Sequence, residues 1–481
     1  MIYGNVAVPF MAHNKTMNYE LRTKLLKGVR SIHFIGIGGI GMSGLAGVLL
    51  EKGYLISGSD KKKNTLTECL EKRGATIHQG HSSSHLTGAD LVVTSSIIPS
   101  FNPELQEAKR KKIPLISRGA LLGELVNEKE GIVVAGTHGK TTTTSLICSL
   151  LHRGGKNPTM FIGGELNDIG GNSQLGKSEY VVAESDESDG SFLFLSPKIS
   201  VLTSLEDDHL DYYGSEARLF GAFIQFLRRL KHGGTLIINK DNPGLDKVLK
   251  GSSLAASQKL ITYGINSPAH LLAENIKLEQ FGSSYEVNYK GRIMGNINLP
   301  LPGKHNIYNS LASIGVGITL GIKWNEIREA LSLFKGIKRR FEVIGEKSGI
   351  LVVDDYAHHP TEIKVTLKAA ARLKRRTVAI FQPHRYTRTK MLLSKFAHSF
   401  ERADILLLTS IYAAGENPLP GIDGKLLFEK VKKERRKQTY YLPTFEKIIN
   451  FLRREAKEGD LILTLGAGDI DKVGKLFLEI L

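Results

Sequence analysis

The sequence predicts an α/β chain of about three domains. Its 481 residues are about three times the ~150 typical of one domain. Residues 31–50 (SIHFIGIGGIGMSGLAGVLL) read as a buried strand, a G-x-G-x-x-G loop and a small-residue helix. Residues 131–144 (GIVVAGTHGKTTTT) repeat that layout, with a lysine and threonines behind the turn.

Apolar residues make 41% of the chain and charged residues 23%, which excludes a largely disordered protein. Glycine is in excess, 50 residues without a collagen-like period, and is expected in loops that approach a ligand. Two cysteines, Cys69 and Cys148, exclude a disulfide framework and fit a reducing compartment, so a cytoplasmic location is expected. Residues 1–12 make a poor signal peptide, and translation from Met11 or Met17 is as readable as from Met1. Residues 1–29 are therefore treated as an N-terminal extension. No apolar run reaches the ~18 residues a span needs, so membrane insertion is not expected.

The first domain is expected over residues 30–128. A strand at 32–35 runs into Gly36, Gly38 and Gly41, and a second strand leads to Asp60, 19 residues after Gly41. A tight turn, close backbone approach and a helix N-terminus suit a pyrophosphate, and the acidic residue suits a ribose hydroxyl. Further strands are expected at 91–94 and 114–116.

The second domain is expected over residues 129–336. The strict P-loop pattern fails because Val134 stands at its first glycine position. Its shortened form is Gly136-Thr137-His138-Gly139-Lys140-Thr141-Thr142. Such a loop cradles phosphates with backbone N–H groups, a lysine neutralises them, and a threonine hydroxyl holds Mg2+. Two acidic clusters, residues 184–189 and 206–209, follow expected strands. Most of these acids read as helix caps. Glu184 and His209 are the candidate metal ligands beside Thr141, since Mg2+ held by phosphates needs few protein ligands.

The third domain is expected over residues 337–481, with 28 Lys and Arg against 18 Asp and Glu; the whole chain carries +17. No nucleic-acid motif accompanies the charge. The basic runs 372–376 (RLKRR) and 432–437 (KKERRK) are expected to be solvated helix faces, without a nucleic-acid partner.

The chain resembles the Mur ligases of peptidoglycan synthesis. The resemblance lies in HFIGIGGIGMSGLA (33–46), AGTHGKTTTT (135–144), ESDESDGSFL (184–193), DDHLDYYG (207–214), PGKHNIYN (302–309), RRFE (339–342), DDYAHHPTE (354–362), FQPHRYTRT (381–389) and IYAAGENP (411–418). It implies a UDP-binding Rossmann-like domain, a central P-loop ATPase with a mostly parallel sheet, and a C-terminal Rossmann-like domain. It implies UDP-N-acetylmuramate, L-alanine and ATP as substrates, with Mg2+. The sugar carboxylate is phosphorylated to an acyl phosphate, which the amine of alanine attacks.

By that resemblance the first glycine loop binds UDP without a nicotinamide cofactor, through Gly36, Gly38, Gly39, Ile40 and Gly41, with Ser95 and Ser96. Lys140, Glu184, His209 and Arg340 carry the chemistry. Asn306 contacts adenine, Arg340 the γ-phosphate and Asp355 the ATP ribose. Tyr356, His358, His359, Arg385 and Arg388 receive the amino acid. Related ligases carry a carbamoylated lysine after the DHLD-like motif. Residues 210–226 hold no lysine, so a Mg2+ site without that group is expected. Two other readings are a ligase attaching a ready-made tripeptide and a dehydrogenase with a basic tail; the latter leaves the GTHGKT loop without a role. A monomer or homodimer is expected.

Overall fold

The computed structural model describes residues 25–206, 210–252, 254–435 and 437–481. His209 and residues 1–24 of the expected extension lie outside the described residues. The chain forms two compact units. One runs up to Ile276 and includes Tyr285–Asn298 and Ile307–Phe334; the other holds Lys277–Ser284, Leu299–Asn306 and Lys335–Leu481.

The first unit contains two sheets. The smaller is built from β1 (Ser31–Ile35), β2 (Leu55–Asp60), β3 (Thr76–Gln79), β4 (Leu91–Thr94) and β5 (Leu115–Ser117). Its order is β3-β2-β1-β4-β5, and every neighbouring pair is parallel. Parallel neighbours need crossovers. These are α1 (Ile40–Glu51), α2 (Thr65–Lys72), a short 3-10 turn at Ser83–Leu86 and α3 (Pro103–Arg110), while the helix α4 (Arg118–Asn127) leads on from β5 to the next sheet. Caps start three of them: Asn64 accepts from Thr67 N, Asn102 from Glu104 N and Leu105 N, and Ser117 from Ala120 N. Strand order reverses between β1 and β4, so the loops after these two strands flank the crevice where open α/β sheets bind ligands.

The second sheet has ten strands: β6 (Glu130–Ala135), β7 (Thr159–Leu166), β8 (Gly171–Gln174), β9 (Tyr180–Glu184), β10 (Ile199–Leu202), β11 (Thr235–Asn239), β12 (Lys259–Gly264), β13 (Leu271–Leu278), β14 (Ser283–Tyr289) and β15 (Arg292–Leu299). The order is β15-β14-β13-β12-β11-β10-β6-β9-β7-β8. β6 pairs in parallel with both β9 and β10, and α5 (Lys140–Arg153) leaves its carboxyl end. All four residues of β10 and all five of β11 are buried, as expected of parallel strands covered on both faces.

The second unit carries the third sheet: β16 (Glu342–Lys347), β17 (Ile350–Asp355), β18 (Thr377–Phe381), β19 (Ile405–Leu408), β20 (Thr439–Tyr441) and β21 (Leu461–Leu465). The order is β16-β17-β21-β18-β19-β20, parallel except for the edge pair β16–β17. Apolar clusters fill both faces, one around Phe381, Phe396 and Phe400, the other around Phe451, Ile462 and Phe477. The fold has the three expected α/β domains.

The basic runs depart from expectation. Arg435 is buried, and its guanidinium donates to the carbonyls of Phe400, Ala403 and Gln438. Arg376 makes a two-pronged pair with buried Asp460 at 2.8 and 2.6 Å. Lys432 and Lys433 are exposed, as a solvated face requires. Sequence charge alone does not separate the two cases, because a guanidinium that caps loop carbonyls looks like its exposed neighbours. Arg436 lies outside the described residues.

Candidate functional site

At the carboxyl end of β6 the chain turns through residues 136–139 into α5. Gly139 caps the helix at φ +81°, and a Cβ there would lie 2.6 Å from Asn309 Oδ1, so conformation and space both demand glycine. Thr137 N donates to Ser204 O and His138 N to Ser204 Oγ, both at 2.9 Å, which ties the loop to the segment after β10. The first N–H groups of α5 have no intrahelical acceptor, which makes the helix start an anion site.

Lys140 Nζ donates to Gly136 O at 2.6 Å, to Thr137 O at 3.2 Å and to Glu187 Oε1 at 2.8 Å. Burial alone would lower the lysine pKa; Glu187, Asp186 and Glu184 outweigh it and raise the pKa. The lysine is therefore a fixed cation at the loop. Thr141 Oγ1 donates to Glu184 Oε1 at 3.0 Å, and Gly163 N to Glu184 Oε2 at 2.8 Å. Glu184 closes β9, the parallel neighbour of β6, and this places its carboxylate beside the loop. Thr142 follows on the helix, partly exposed. Asp186 and Asp189 accept from Ser188 N and Ser191 N, the local capping expected of most of these acids.

Glu187, Gly163 and Asn309 were not among the expected site residues. Glu187 was hidden in an acidic run whose members look alike. Gly163 and Asn309 join the site only through the fold.

The first glycine loop is held from behind. Gly36 N and Ile37 N donate to Ser59 O at 2.8 and 3.1 Å, and Gly38 N to Asp60 Oδ2 at 2.9 Å. Asp60, expected on a ribose, thus braces the loop. The donors aimed outward are those of the first turn of α1, after Gly39. Ile40 and Gly41 lie in that turn, and the Arg118 guanidinium sits over Gly41. Arg118 also lies 3.4 Å from Asp186. Ser95 packs against Gly36, and Ser96 is exposed just beyond.

In the second unit, loops after β17, β18 and β19 gather the residues expected to receive an amino acid. Tyr356 is flanked by the Arg339 and Arg340 guanidiniums at 5.2 and 5.3 Å from its ring. The rings of Tyr356, His358, His384 and Tyr412 follow one another at 5.5, 5.7 and 5.8 Å. Arg388 Nη1 donates to His384 Nδ1 at 3.0 Å. Burial, and secondarily His358 and the arginines, push His384 down to about 2, so it is neutral. Arg385 adopts φ +69°, and its Nε is buried without a hydrogen-bond acceptor among the described residues. That donor fits a carboxylate.

His359, expected in the same group, is buried and caps the helix Pro360–Ala370 through Thr361 N. Asp355 accepts from Phe341 N and Ala357 N at 2.8 Å each, and burial pushes its carboxyl up to about 6. Asn306 donates to Pro302 O at 2.8 Å.

Three family models match the chain: "Mur ligase family, catalytic domain" over residues 31–130, "Mur ligase middle domain" over 134–317, and "Mur ligase, glutamate ligase domain" over 339–468. A UDP-N-acetylmuramate–L-alanine ligase of Geotalea daltonii is 45% identical over 94% of this chain and 98% of its own. One of Desulforamulus reducens is 46% identical over 94% and 97%. The crystal structure of a UDP-N-acetylmuramate-alanine ligase from Thermotoga maritima superposes with a TM-score of 0.81 at 29% identity, covering 94% and 98%. A murein peptide ligase from Psychrobacter arcticus gives 0.72 at 27% identity, over 94% and 98%.

Proposed function

The chain belongs to the Mur ligase family, and from that premise we propose that it joins L-alanine to the carboxylate of UDP-N-acetylmuramate at the expense of ATP. The near full-length identity of 45% to alanine-adding ligases carries this reading. A sugar carboxylate oxygen attacks the γ-phosphorus and ADP departs. The amine of alanine then attacks the carbonyl carbon of the acyl phosphate, phosphate leaves, and the nitrogen gives up a proton as the amide forms.

Phosphoryl transfer asks for positioning and charge neutralisation. Lys140 and the start of α5 supply both to the β- and γ-phosphates. Thr141 and Glu184 offer hard oxygens 3.0 Å apart beside them, a donor set suited to Mg2+. We assign the Mg2+ to these two residues and His209; when bound, it neutralises phosphate charge. Gly39 N is spent on Gly36 O, and the first-turn donors of Ile40 and Gly41 take the pyrophosphate of the UDP-sugar beside it. Arg385 and Arg388 take the alanine carboxylate, beside Tyr356 and His358. The family resemblance carries the roles of Asn306, Arg340 and Asp355 toward ATP. The reaction belongs to cytoplasmic precursor synthesis.

The test is phosphate release from ATP with UDP-N-acetylmuramate and, in turn, alanine, the tripeptide, or no amine. Release with alanine alone is expected. Release only with the tripeptide would make the chain a peptide-attaching ligase.

A further inference from the structure

Glu104 plays no part in the chemistry above, yet its surroundings are the most elaborate polar cluster of the first domain. It stands in the first turn of α3 with its side chain fully buried. Ser59 Oγ donates to Oε2 at 2.6 Å, and His81 Nδ1 lies 2.9 Å from the same oxygen. His85 Nδ1 lies 2.7 Å from Oε1, and His33 Nε2 approaches it at 3.5 Å. His78 stacks on His85 with centroids 4.1 Å apart. One carboxylate thus gathers side chains from β1, β2, the segment after β3 and the 3-10 turn. Burial would raise its pKa, but the nearby His33 ring and the hydrogen bonds from Ser59 and His85 hold it at about 2, so it is an anion.

A buried charge is an expensive way to fill space, since apolar residues of similar volume often serve stability as well or better. A helix N-terminus favours a negative charge, but an exposed glutamate would satisfy that. The distinguishing feature is where the cluster leads. The Ser59 carbonyl accepts Gly36 N and Ile37 N, and its neighbour Asp60 accepts Gly38 N. The whole inner side of the glycine loop hangs on residues 59 and 60, and Glu104 fixes residue 59.

We propose that Glu104 is a positioning residue for the nucleotide-sugar substrate: through Ser59 it holds the glycine loop in the shape that presents the α1 N-terminus to the pyrophosphate. This rests on the reading of that loop as the UDP site. Glu104 itself touches no substrate.

Glu104→Gln keeps volume and an acceptor but removes the charge. Steady-state kinetics with all three substrates, calorimetric binding of UDP alone, and a thermal melt test it. KM for UDP-N-acetylmuramate and Kd for UDP are expected to rise about tenfold, the loss of about one good hydrogen bond. The kcat and the KM values for ATP and alanine are expected to stay within about twofold, and Glu104→Asp to recover part of the UDP affinity. A folded Glu104→Gln protein with unchanged UDP affinity overturns the proposal, as does one that worsens all three substrates alike. Should that variant not fold, Ser59→Ala cuts the same connection, and unchanged UDP affinity there overturns it too. A wild-type chain that binds UDP but releases no phosphate with alanine would overturn the proposed function and leave this inference standing.

Discussion

Lys140 Nζ is held 2.8 Å from a carboxylate oxygen of Glu187, whose side chain is 1% exposed. The lysine we propose to meet a triphosphate is therefore already paired with a buried anion. An incoming phosphate competes with Glu187, helped by the N–H groups at the start of α5.

Lys140→Met is expected to abolish phosphate release. It also takes the paired cation from the buried Glu187 carboxylate, and breaking a buried pair by removing one partner costs about 3–5 kcal/mol. Lys140→Met/Glu187→Gln should recover most of that stability and none of the turnover. Denaturant unfolding and phosphate release measure the two effects separately. Turnover in the single variant above about a hundredth of wild type would remove the lysine from the chemistry.

Gly163→Ala should act on the proposed Mg2+ site without replacing any residue assigned as a ligand. A Cβ at Gly163 would lie 2.4 Å from Glu184 Oε2, so the carboxylate must leave its present position beside Thr141. The Mg2+ concentration for half-maximal rate is expected to rise severalfold, with KM for alanine unchanged. Titration of the rate with Mg2+ decides it, and an unchanged midpoint would make Glu184 a strand-end brace.

Arg435→Ala should destabilise the second unit and leave catalysis intact in whatever remains folded. It strips charged donors from buried carbonyls of Phe400, Ala403 and Gln438. Each stranded group costs about 1–3 kcal/mol. Exposed Lys432→Gln/Lys433→Gln should stay within about 0.5 kcal/mol of wild type. Equal melting temperatures for the two variants would contradict the burial.

The second unit should lose stability as pH falls. Burial, ahead of the Arg340 charge, lowers His305 to about 4, and burial likewise lowers His358 to about 4 and His384 to about 2. Below about pH 6.5 the unfolded chain binds protons that the folded one refuses, so stability present at neutral pH drains toward pH 4. Asp355 works the other way: held at about 6 against 3.8, it favours the folded state more as pH falls from 6 to 4. Burial raises Asp354 as well, so two carboxyls stand against three histidines, and the histidines outweigh them. Calorimetric melts between about pH 7.5 and pH 5 should show the loss, and His384→Asn should reduce it by roughly 1–2 kcal/mol at pH 5.

Local pattern alone decided the α/β class, both glycine loops and the family. A strand, a glycine turn and a helix are contiguous, so the N–H groups that face a phosphate are written in a dozen residues, as in residues 131–144. Tertiary structure decided which groups face outward and which are spent inside. Asp60 sits where a ribose partner would stand in sequence, but it braces Gly38 because β2 lies beside β1. His359 stands next to His358, yet one caps a helix and the other joins a row of rings, since successive residues at a helix start point in different directions. Arg435 and Lys433 share one basic run, but only the arginine meets buried carbonyls. Nothing local in the sequence marks Glu104; the sheet brings Ser59, His33, His81 and His85 around it. Residue type sets what chemistry a group can do, but burial and partners depend on segments far apart in the chain, and only folding brings those together.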